Sequence, residues 1–363
     1  MTVTASHAER RIFINGRFLA QPFSGVQRFA TEITIALRRL MSGRVAVLGP
    51  VGCNEAAGTV EIVGRRSGQL WEQFELPAHV RSGLLVNLGN TGPLLLSRQI
   101  VIIHDAGVYS TPEAYSWRFR LWYKLLQSSL VRRGACLVTV SEFARTEISR
   151  SLGVSPESIA VISEGADHMD GIVADDRVLS RLPPGRFVLA VGNLAAHKNL
   201  EALGELAIRL ASRGQTLVVT GGLSGGAFRL VDAANLPQPA CYVGRVTDAE
   251  LKSLYIHAAC LVFASKYEGF GLPAIEAMAC ACPVVASRIP ALQEVCADAA
   301  IYVDPQLPSD IADGVCRLLD DPALDAAMRR AVRARVRQFT WDRAATDLAA
   351  IANRLADARI TPA

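Results

Sequence analysis

The sequence contains no C-x-x-C pair, although eight cysteines are present among its 363 residues. Most of these cysteines lie in apolar stretches, which predicts buried free thiols rather than a disulfide framework or a zinc site. No run of about 18 apolar residues is available to span a bilayer, and residues 1–11 lack the apolar core of a signal peptide. We therefore expect a cytoplasmic protein that has at most a peripheral membrane contact.

An excess of charge of one sign is also lacking. The chain carries 38 basic and 34 acidic residues, a net charge of +4. This balance gives no reason to expect nucleic acid as a partner, although it is compatible with a phosphate ligand or an anionic membrane surface. Half of the residues are hydrophobic, so a chain of this length can bury the cores of two domains.

The most informative stretch runs from Cys260 to Ser287, with the sequence CLVFASKYEGFGLPAIEAMACACPVVAS. Its pattern predicts a short strand, a loop with two glycines, a helix with Pro273 in its first turn, and a second buried strand. The loop and the helix N-terminus would then lie beyond the carboxyl end of a parallel strand, where open α/β sheets bind ligands. The free amides and positive end of such a helix suit an anion such as a diphosphate.

Two glutamates flank this predicted turn, Glu268 on the loop and Glu276 about one helical turn into the helix. An ionised carboxylate only accepts hydrogen bonds, and its two oxygens suit the vicinal hydroxyls of a sugar. One glutamate could therefore bind a sugar ring and the other a ribose, with the diphosphate between them. The arrangement suggests a nucleotide-sugar site.

The string E-G-F-G-L-P-x-x-E-A-M-A-x-x-x-P-V-V-A-S resembles the donor-site motif of retaining glycosyltransferases of family 4, the glycosyl transferases group 1. The resemblance extends over about residues 11–355 and implies an α/β fold of the GT-B type, in which two doubly wound Rossmann-like domains face each other across a cleft. We predict an acceptor-side domain at 1–180, a nucleotide-sugar-binding domain at 181–340, and a C-terminal helix at 341–363 that crosses back. Pro183-Pro184-Gly185 interrupts the pattern at the first boundary.

The resemblance also implies the reaction. It predicts a metal-independent hexosyltransferase that retains the anomeric configuration and uses a GDP- or UDP-sugar, with mannose as one candidate hexose. The acceptor would be a hydroxyl of a glycan or lipid-linked molecule in cell-surface polysaccharide biosynthesis, such as that of lipopolysaccharide or exopolysaccharide. No cofactor is expected, and no D-x-D pair stands where a metal-dependent donor site would need one.

In the resembled family the first glutamate of the motif contacts the donor sugar and the second contacts the ribose. A lysine in a G-x-x-x-x-x-K-N pattern binds phosphate there and corresponds to Lys198, whereas Asn193 replaces an arginine that many members carry. The missing cation could come from Arg245 or His197. The predicted donor-binding residues are Gly25, Asn193, Lys198, Arg245, Val246, Gly269, Phe270, Gly271, Leu272 and Glu276.

The catalytic candidates are His104, Glu268 and Asp105. His104 and Asp105 directly follow a predicted strand at 100–103, and polar groups at strand ends of α/β sheets are often functional. Family members commonly carry a functional histidine here, so His104 is expected to face the sugar and acceptor. Asp105 either orients His104 or caps the following loop. Gln27, in the first turn of a predicted helix, is assigned to the acceptor side.

Residues 116–133 concentrate aromatic and basic side chains. We predict a core helix, with one set of residues facing inward and another remaining in solvent. A helix that faces the membrane or the acceptor is the alternative. The inward set is Trp117, Leu121, Leu125 and Leu130, and the solvent set is Arg118, Lys124, Arg132 and Arg133.

Other functions are also compatible with parts of this sequence. G-x-G-x-x-A at 269–274 fits the dinucleotide fingerprint of NAD(P) enzymes. However, residues 265–268 separate its first glycine from the strand, and Ser287-Arg288 stands where that fingerprint needs an acid. A non-catalytic nucleotide-sugar-binding protein of the same fold stays open. A sugar-nucleotide epimerase would need further carboxylates in the cleft, which the sequence alone does not place.

Overall fold

A computed structural model describes residues 11–80, 83–222 and 236–357. Within these ranges the chain forms two parallel sheets. The first has the strand order β3-β2-β1-β4-β5-β6-β7, with β1 (Ile12–Asn15), β2 (Val45–Gly49), β3 (Glu61–Ile62), β4 (Leu84–Asn87), β5 (Gln99–Ile102), β6 (Cys136–Thr139) and β7 (Ile159–Val161). The second has the order β10-β9-β8-β11-β12-β13, with β8 (Phe187–Val191), β9 (Thr216–Thr220), β10 (Cys241–Gly244), β11 (Leu261–Phe263), β12 (Val284–Ser287) and β13 (Ala300–Val303).

Helices cover both faces of these sheets, so the central strands are buried on both sides, as parallel sheets require. A π-helical turn, Trp71–Glu75, joins two of the helices. The α-helices are α1 (Gly25–Leu40), α2 (Gly68–Leu70), α3 (Leu76–Val80), α4 (Gly107–Ser110), α5 (Trp117–Arg132), α6 (Glu142–Leu152), α7 (Gly204–Ser212), α8 (Asp248–His257), α9 (Leu272–Ala279), α10 (Pro290–Cys296), α11 (Pro308–Asp320), α12 (Pro322–Val336) and α13 (Trp341–Asp357).

The strand order changes direction beside the first strand of each sheet, between β1 and β4 and between β8 and β11. Such switch points leave a crevice at the carboxyl ends of the strands, because successive connections leave on opposite faces of the sheet. Each sheet is therefore doubly wound, and the fold prediction is confirmed. The loops after β1, β5, β8 and β11 are the ones that bring side chains to the crevices.

The last helix, α13, returns to the first sheet. Arg44 Nη2 donates to Asn353 Oδ1 at 3.2 Å, and Arg98 Nη2 donates to the Leu355 carbonyl oxygen at 2.9 Å. A continuous apolar core extends from α1 through α13 to α9. The two sheets are thus joined by buried contacts as well as by the connecting chain, whereas the domain limits at 180 and 340 stay predictions.

The orientation predicted for α5 is wrong. Trp117, Leu121 and Leu125 are 66%, 51% and 58% exposed, and of the predicted inward set only Leu130 is buried. Lys124, which was expected in solvent, lies over the Tyr109 ring at 5.0 Å. The inward face instead uses Leu126, Gln127 and Leu130, and Phe119 and Tyr123 stack on each other at 4.1 Å. Both faces of this helix carry apolar residues, so periodicity alone does not identify the buried one.

None of the helices in the described part of the chain combines the length and apolar composition that crossing a membrane requires.

Candidate active site

The glycine loop between β11 and α9, residues 268–271, is wedged between the two sheets. A Cβ atom on Gly269 would lie 2.2 Å from the His104 carbonyl oxygen and 2.9 Å from the Asp105 Cβ, so a side chain does not fit there. Gly271 has a φ of +107°, a backbone conformation that only glycine adopts readily. The loop therefore needs glycine for close approach at one position and for conformation at the other.

Hydrogen bonds across the crevice hold this loop. Ser141 Oγ donates to the Gly269 carbonyl oxygen at 2.6 Å, and the Ala106 amide donates to the Tyr267 hydroxyl at 3.0 Å. Nearby, the carboxylate of Glu294 on α10 accepts from the first two amides of α6 at 2.8 and 2.9 Å. A carboxylate at a helix N-terminus is favourable because the unpaired amides point at it. The two halves of the site are thus in direct contact.

The glycine loop carries one member of a buried ion pair. Lys198 Nζ lies 2.7 Å from Glu268 Oε1, and both side chains are largely buried. Lys198 ends the short 3-10 turn Ala196–Lys198 that follows β8. Its position near a helix start predicts an anionic partner, and in this structure Glu268 occupies that place. The ammonium group therefore lies at the crevice where the loops after β8 and β11 meet.

Glu276 is held deeper in the same half of the site. It lies within α9 and is 6% exposed. Its Oε2 accepts from the Tyr255 hydroxyl at 3.2 Å, and its Oε1 lies 3.2 Å from His168 Nε2. Burial, followed by the charge of Glu276, raises the pKa of Tyr255, so the tyrosine stays protonated and donates. Each carboxylate oxygen thus has one protein partner and can accept further hydrogen bonds.

His104 lies at the end of β5 and is buried. Its Nε2 is 2.9 Å from the Leu88 carbonyl oxygen, and its Nδ1 is 3.6 Å from Glu164 Oε1. The ring also packs edge-on against Phe29 at 4.8 Å. Burial raises the pKa of Glu164. The imidazole is therefore oriented by a carbonyl group and by a carboxyl group that burial makes easier to protonate.

Asp105 does not hydrogen-bond to that imidazole. Its Oδ1 accepts from the Gly107 amide at 2.6 Å, which is the loop-capping alternative of the two expected from the sequence. Burial raises the pKa of Asp105, and the opposing influences are the Gly107 amide, His104 and Lys198. Asp105 thus places a further, partly buried carboxyl group beside the glycine loop.

The start of α1 contributes the opposite wall. A Cβ on Gly25 would meet no protein atom within 4 Å, so packing does not require glycine there. Gln27 donates to Gln21 Oε1 at 2.9 Å and accepts from Ser24 Oγ. Arg245 donates to the Phe23 carbonyl oxygen across the crevice. The predicted residues Gly25, Gln27 and Arg245 are therefore brought together.

The other predicted residues have local contacts. Asn193 Oδ1 accepts from the Ala195 amide at 3.3 Å, Phe270 packs against Phe339 at 5.7 Å, and Leu272 begins α9 without a capping side chain. Val246 immediately precedes Thr247, the N-cap of α8. Within the described ranges, no group of three or more His, Cys, Asp or Glu side chains is arranged to hold a metal ion.

Four further residues of the site were not predicted from the sequence: Arg28, Glu164, His168 and Tyr255. Glu164 lies just beyond the carboxyl end of β7, so the strand-end criterion that selected His104 could have found it. Arg28, which pairs with Asp248 across the crevice, follows the selected Gln27 directly. His168 and Tyr255 carry no such signal, because only the tertiary fold brings them to Glu276.

Comparison with known proteins agrees with this architecture. The model of the family "Glycosyl transferases group 1" matches residues 175–335. O-antigen chain mannosyltransferase B of Escherichia coli is 30% identical over 267 residues, which cover 70% of each chain. O-antigen chain mannosyltransferase RfbU of Salmonella typhimurium is 30% identical over 214 residues, 58% of each chain.

Solved structures show the same fold. Sucrose-phosphate synthase from Thermosynechococcus elongatus superposes with a TM-score of 0.74 at 20% identity, covering 96% of this chain and 99% of that one. Anabaena HepE in complex with UDP and glucose gives 0.71 at 17% identity, covering 96% of this chain and 100% of that one. The chain therefore belongs to the glycosyl transferases group 1 and is a glycosyltransferase of the GT-B fold.

Proposed function

We propose that this glycosyltransferase moves a hexose from a nucleoside diphosphate sugar to a hydroxyl group of a glycan or lipid-linked acceptor. The observation that carries the proposal is the convergence of Lys198, Glu268 and Glu276 around a glycine loop at the switch point of the second sheet. A cation and two carboxylates suit a diphosphate flanked by two sugar rings.

The similar proteins support a finer assignment. Both O-antigen chain enzymes are named mannosyltransferases, which favours mannose as the hexose and cell-surface polysaccharide biosynthesis as the setting. HepE has been solved with UDP-glucose, which favours a nucleoside diphosphate sugar as donor. We assign GDP-mannose as the first donor to test and UDP-glucose as the second.

In this proposal Lys198 stabilises the negative charge that develops on the leaving diphosphate, because a fixed cation in a water-poor crevice is most effective there. The N-terminus of α9 assists, and Arg245 supplies the cation absent at Asn193. These groups take the role that a metal has in other transferases, so we propose metal-independent transfer.

We further infer that transfer retains the anomeric configuration and proceeds on one face of the sugar. A double displacement would need a carboxylate that attacks the anomeric carbon. Glu268 is paired with Lys198 at 2.7 Å. Asp105 is tied to Gly107, and burial raises its pKa. Both arrangements weaken a carboxylate as a nucleophile, which favours direct transfer.

Two measurements test the proposal: the binding and hydrolysis of a donor, and the effect of a metal chelator on that hydrolysis. GDP-mannose or UDP-glucose should raise the melting temperature, as a ligand that binds only the folded state must, and should be hydrolysed slowly without acceptor. Hydrolysis should persist in excess chelator. Loss of hydrolysis in chelator, restored by magnesium or manganese, would contradict metal independence. Binding without hydrolysis would instead favour the non-catalytic nucleotide-sugar binder.

Donor binding should depend on Glu276 and Lys198. We expect Glu276→Ala and Lys198→Ala each to weaken nucleoside diphosphate binding by about 1.5–3 kcal/mol, the strength of a charge-assisted hydrogen bond. Isothermal titration calorimetry measures the effect. Lys266→Ala is the matched control, because Lys266 lies in the same domain and pairs with Glu201 at 3.5 Å. Equal affinities of all variants would remove these residues from the donor site.

The role of His104 can be separated from its place in the core. His104→Ala leaves Glu164 buried without its partner, which should lower the free energy of unfolding by about 3 kcal/mol. Adding Glu164→Gln should recover part of that stability, as chemical denaturation would show. If His104 acts on the sugar, single-turnover donor cleavage stays slow in the double variant. Recovered cleavage would assign the histidine a purely structural role.

The exposed face of α5 supports a peripheral contact with the inner face of the cytoplasmic membrane. Trp117, Leu121, Trp122 and Leu125 are all at least 41% exposed. The helix also contains Arg118, Arg120, Lys124 and Arg132 but no acidic residue. Basic helices with an exposed apolar and aromatic face bind the headgroup region of anionic bilayers. Such contact would bring lipid-linked acceptors close to the enzyme.

Vesicle co-sedimentation tests this contact. The protein should bind vesicles that contain phosphatidylglycerol, bind pure phosphatidylcholine vesicles less, and dissociate at high salt. Replacing Trp117, Leu121 and Leu125 by serine should abolish binding. Ile208→Ser on α7, which is 61% exposed in the unmodified protein, is the control and should bind normally. Equal binding of the triple variant and the control would exclude α5 as the contact.

A further inference from the structure

The carboxylate of Glu276 is the end of a chain of buried hydrogen bonds. His168 Nε2 lies 3.2 Å from Glu276 Oε1, and Trp341 Nε1 lies 3.1 Å from His168 Nδ1. Trp341 and the side chain of His168 are both buried. The chain therefore runs from the first residue of α13 to α9 without water-exposed members.

The direction of these hydrogen bonds follows from the tryptophan. An indole N–H can only donate, so Nδ1 of His168 must accept and carries no hydrogen. The hydrogen of the neutral imidazole is then on Nε2, from where it is donated to Glu276 Oε1. A doubly protonated imidazole would direct a second N–H at the indole N–H. Trp341 thus selects the tautomer that donates to the carboxylate.

Trp341 is itself fixed by the first half of the molecule. Its backbone amide donates to Asp167 Oδ1 at 2.8 Å, and its ring packs against Phe29 of α1 at 5.7 Å. A Cβ on Gly165 would lie 2.5 Å from the Trp341 amide nitrogen, so the backbone segments are in tight contact. The indole can therefore hold the imidazole in place only while α13 is seated on α1.

We propose that Trp341 and His168 are positioning residues that orient Glu276 toward the ribose hydroxyls of the donor nucleotide. The inference rests on the proposed function, since it takes Glu276 as the ribose ligand. With Oε1 fixed by His168 and Oε2 fixed by Tyr255, the free acceptor sites of both oxygens have one set of directions. The helix that crosses between the domains thereby couples their packing to donor affinity.

Binding of two nucleotides to the unmodified protein and to a Trp341 variant tests this chain of hydrogen bonds. The probe is GDP or UDP, whichever raises the melting temperature more, together with its 2′,3′-dideoxy counterpart. Trp341→Phe keeps a ring against Phe29 but removes the N–H. It should weaken ribonucleotide binding about 3- to 10-fold, the effect of one hydrogen bond, and leave dideoxynucleotide binding unchanged. Calorimetry on both ligands gives the difference.

Two variants control for folding effects. Trp71→Phe removes an equally buried indole N–H that donates to the Val63 carbonyl oxygen at 2.7 Å in the first sheet's half, and it should change neither affinity. His168→Gln offers an amide that can donate to Glu276 and an oxygen that can accept from Trp341. It should bind the ribonucleotide better than His168→Leu does.

The outcomes separate this inference from the proposed function. If Trp341→Phe weakens both nucleotides equally, or neither, the positioning role is overturned. If Glu276→Ala weakens ribonucleotide binding more than dideoxynucleotide binding while Trp341→Phe does not, the ribose role of Glu276 stands. Only the positioning role of Trp341 and His168 is then overturned. If the unmodified protein binds both nucleotides equally, Glu276 has no ribose to contact, and both the ribose role and the inference are overturned.

Discussion

The close approach of Gly269 to the end of β5 is the constraint on which the site depends. With a hypothetical Cβ only 2.2 Å from the His104 carbonyl oxygen, the loop after β11 and the loop after β5 share one surface. Ser141 and Glu294 add hydrogen bonds on either side of this contact. A larger residue at 269 would separate the sheets and, with them, the halves of the site. Gly269 therefore serves interdomain packing as well as any ligand.

This close packing has an electrostatic consequence. Glu268, Glu276, Asp105 and Glu164 are carboxyl groups in or beside one crevice, where burial disfavours the charged form. Burial raises the pKa of Asp105 and of Glu164, whereas the Glu268 carboxylate forms an ion pair with Lys198. A diphosphate would add further negative charge, so a lysine already buried at this point is the group best placed to balance it.

Much of the fold could be predicted because parallel strands are short apolar runs between helical segments. The stretch at 260–287 forms the strand, helix and second strand that its pattern predicts, as Leu261–Phe263, Leu272–Ala279 and Val284–Ser287. The strand Ile159–Val161 was not predicted. For α5 the spacing predicted one inward apolar face, but three of its four residues are exposed and only Leu130 is buried. The face that meets the protein is set by neighbouring elements, which a single sequence does not display.

The residues of the site also fall into two groups, those that a local motif identifies and those that only the tertiary fold brings together. Glu268 and Lys198 belong to loops with recognisable motifs, so sequence alone placed them near one crevice. His168 and Trp341 are 173 positions apart and meet only because α13 crosses to α1. Their contact depends on one donor-only side chain facing one ring nitrogen, a relation that no local pattern encodes. Groups that orient a ligand-binding side chain are therefore harder to predict than the side chain itself, since they need only to reach it and can come from any part of the fold.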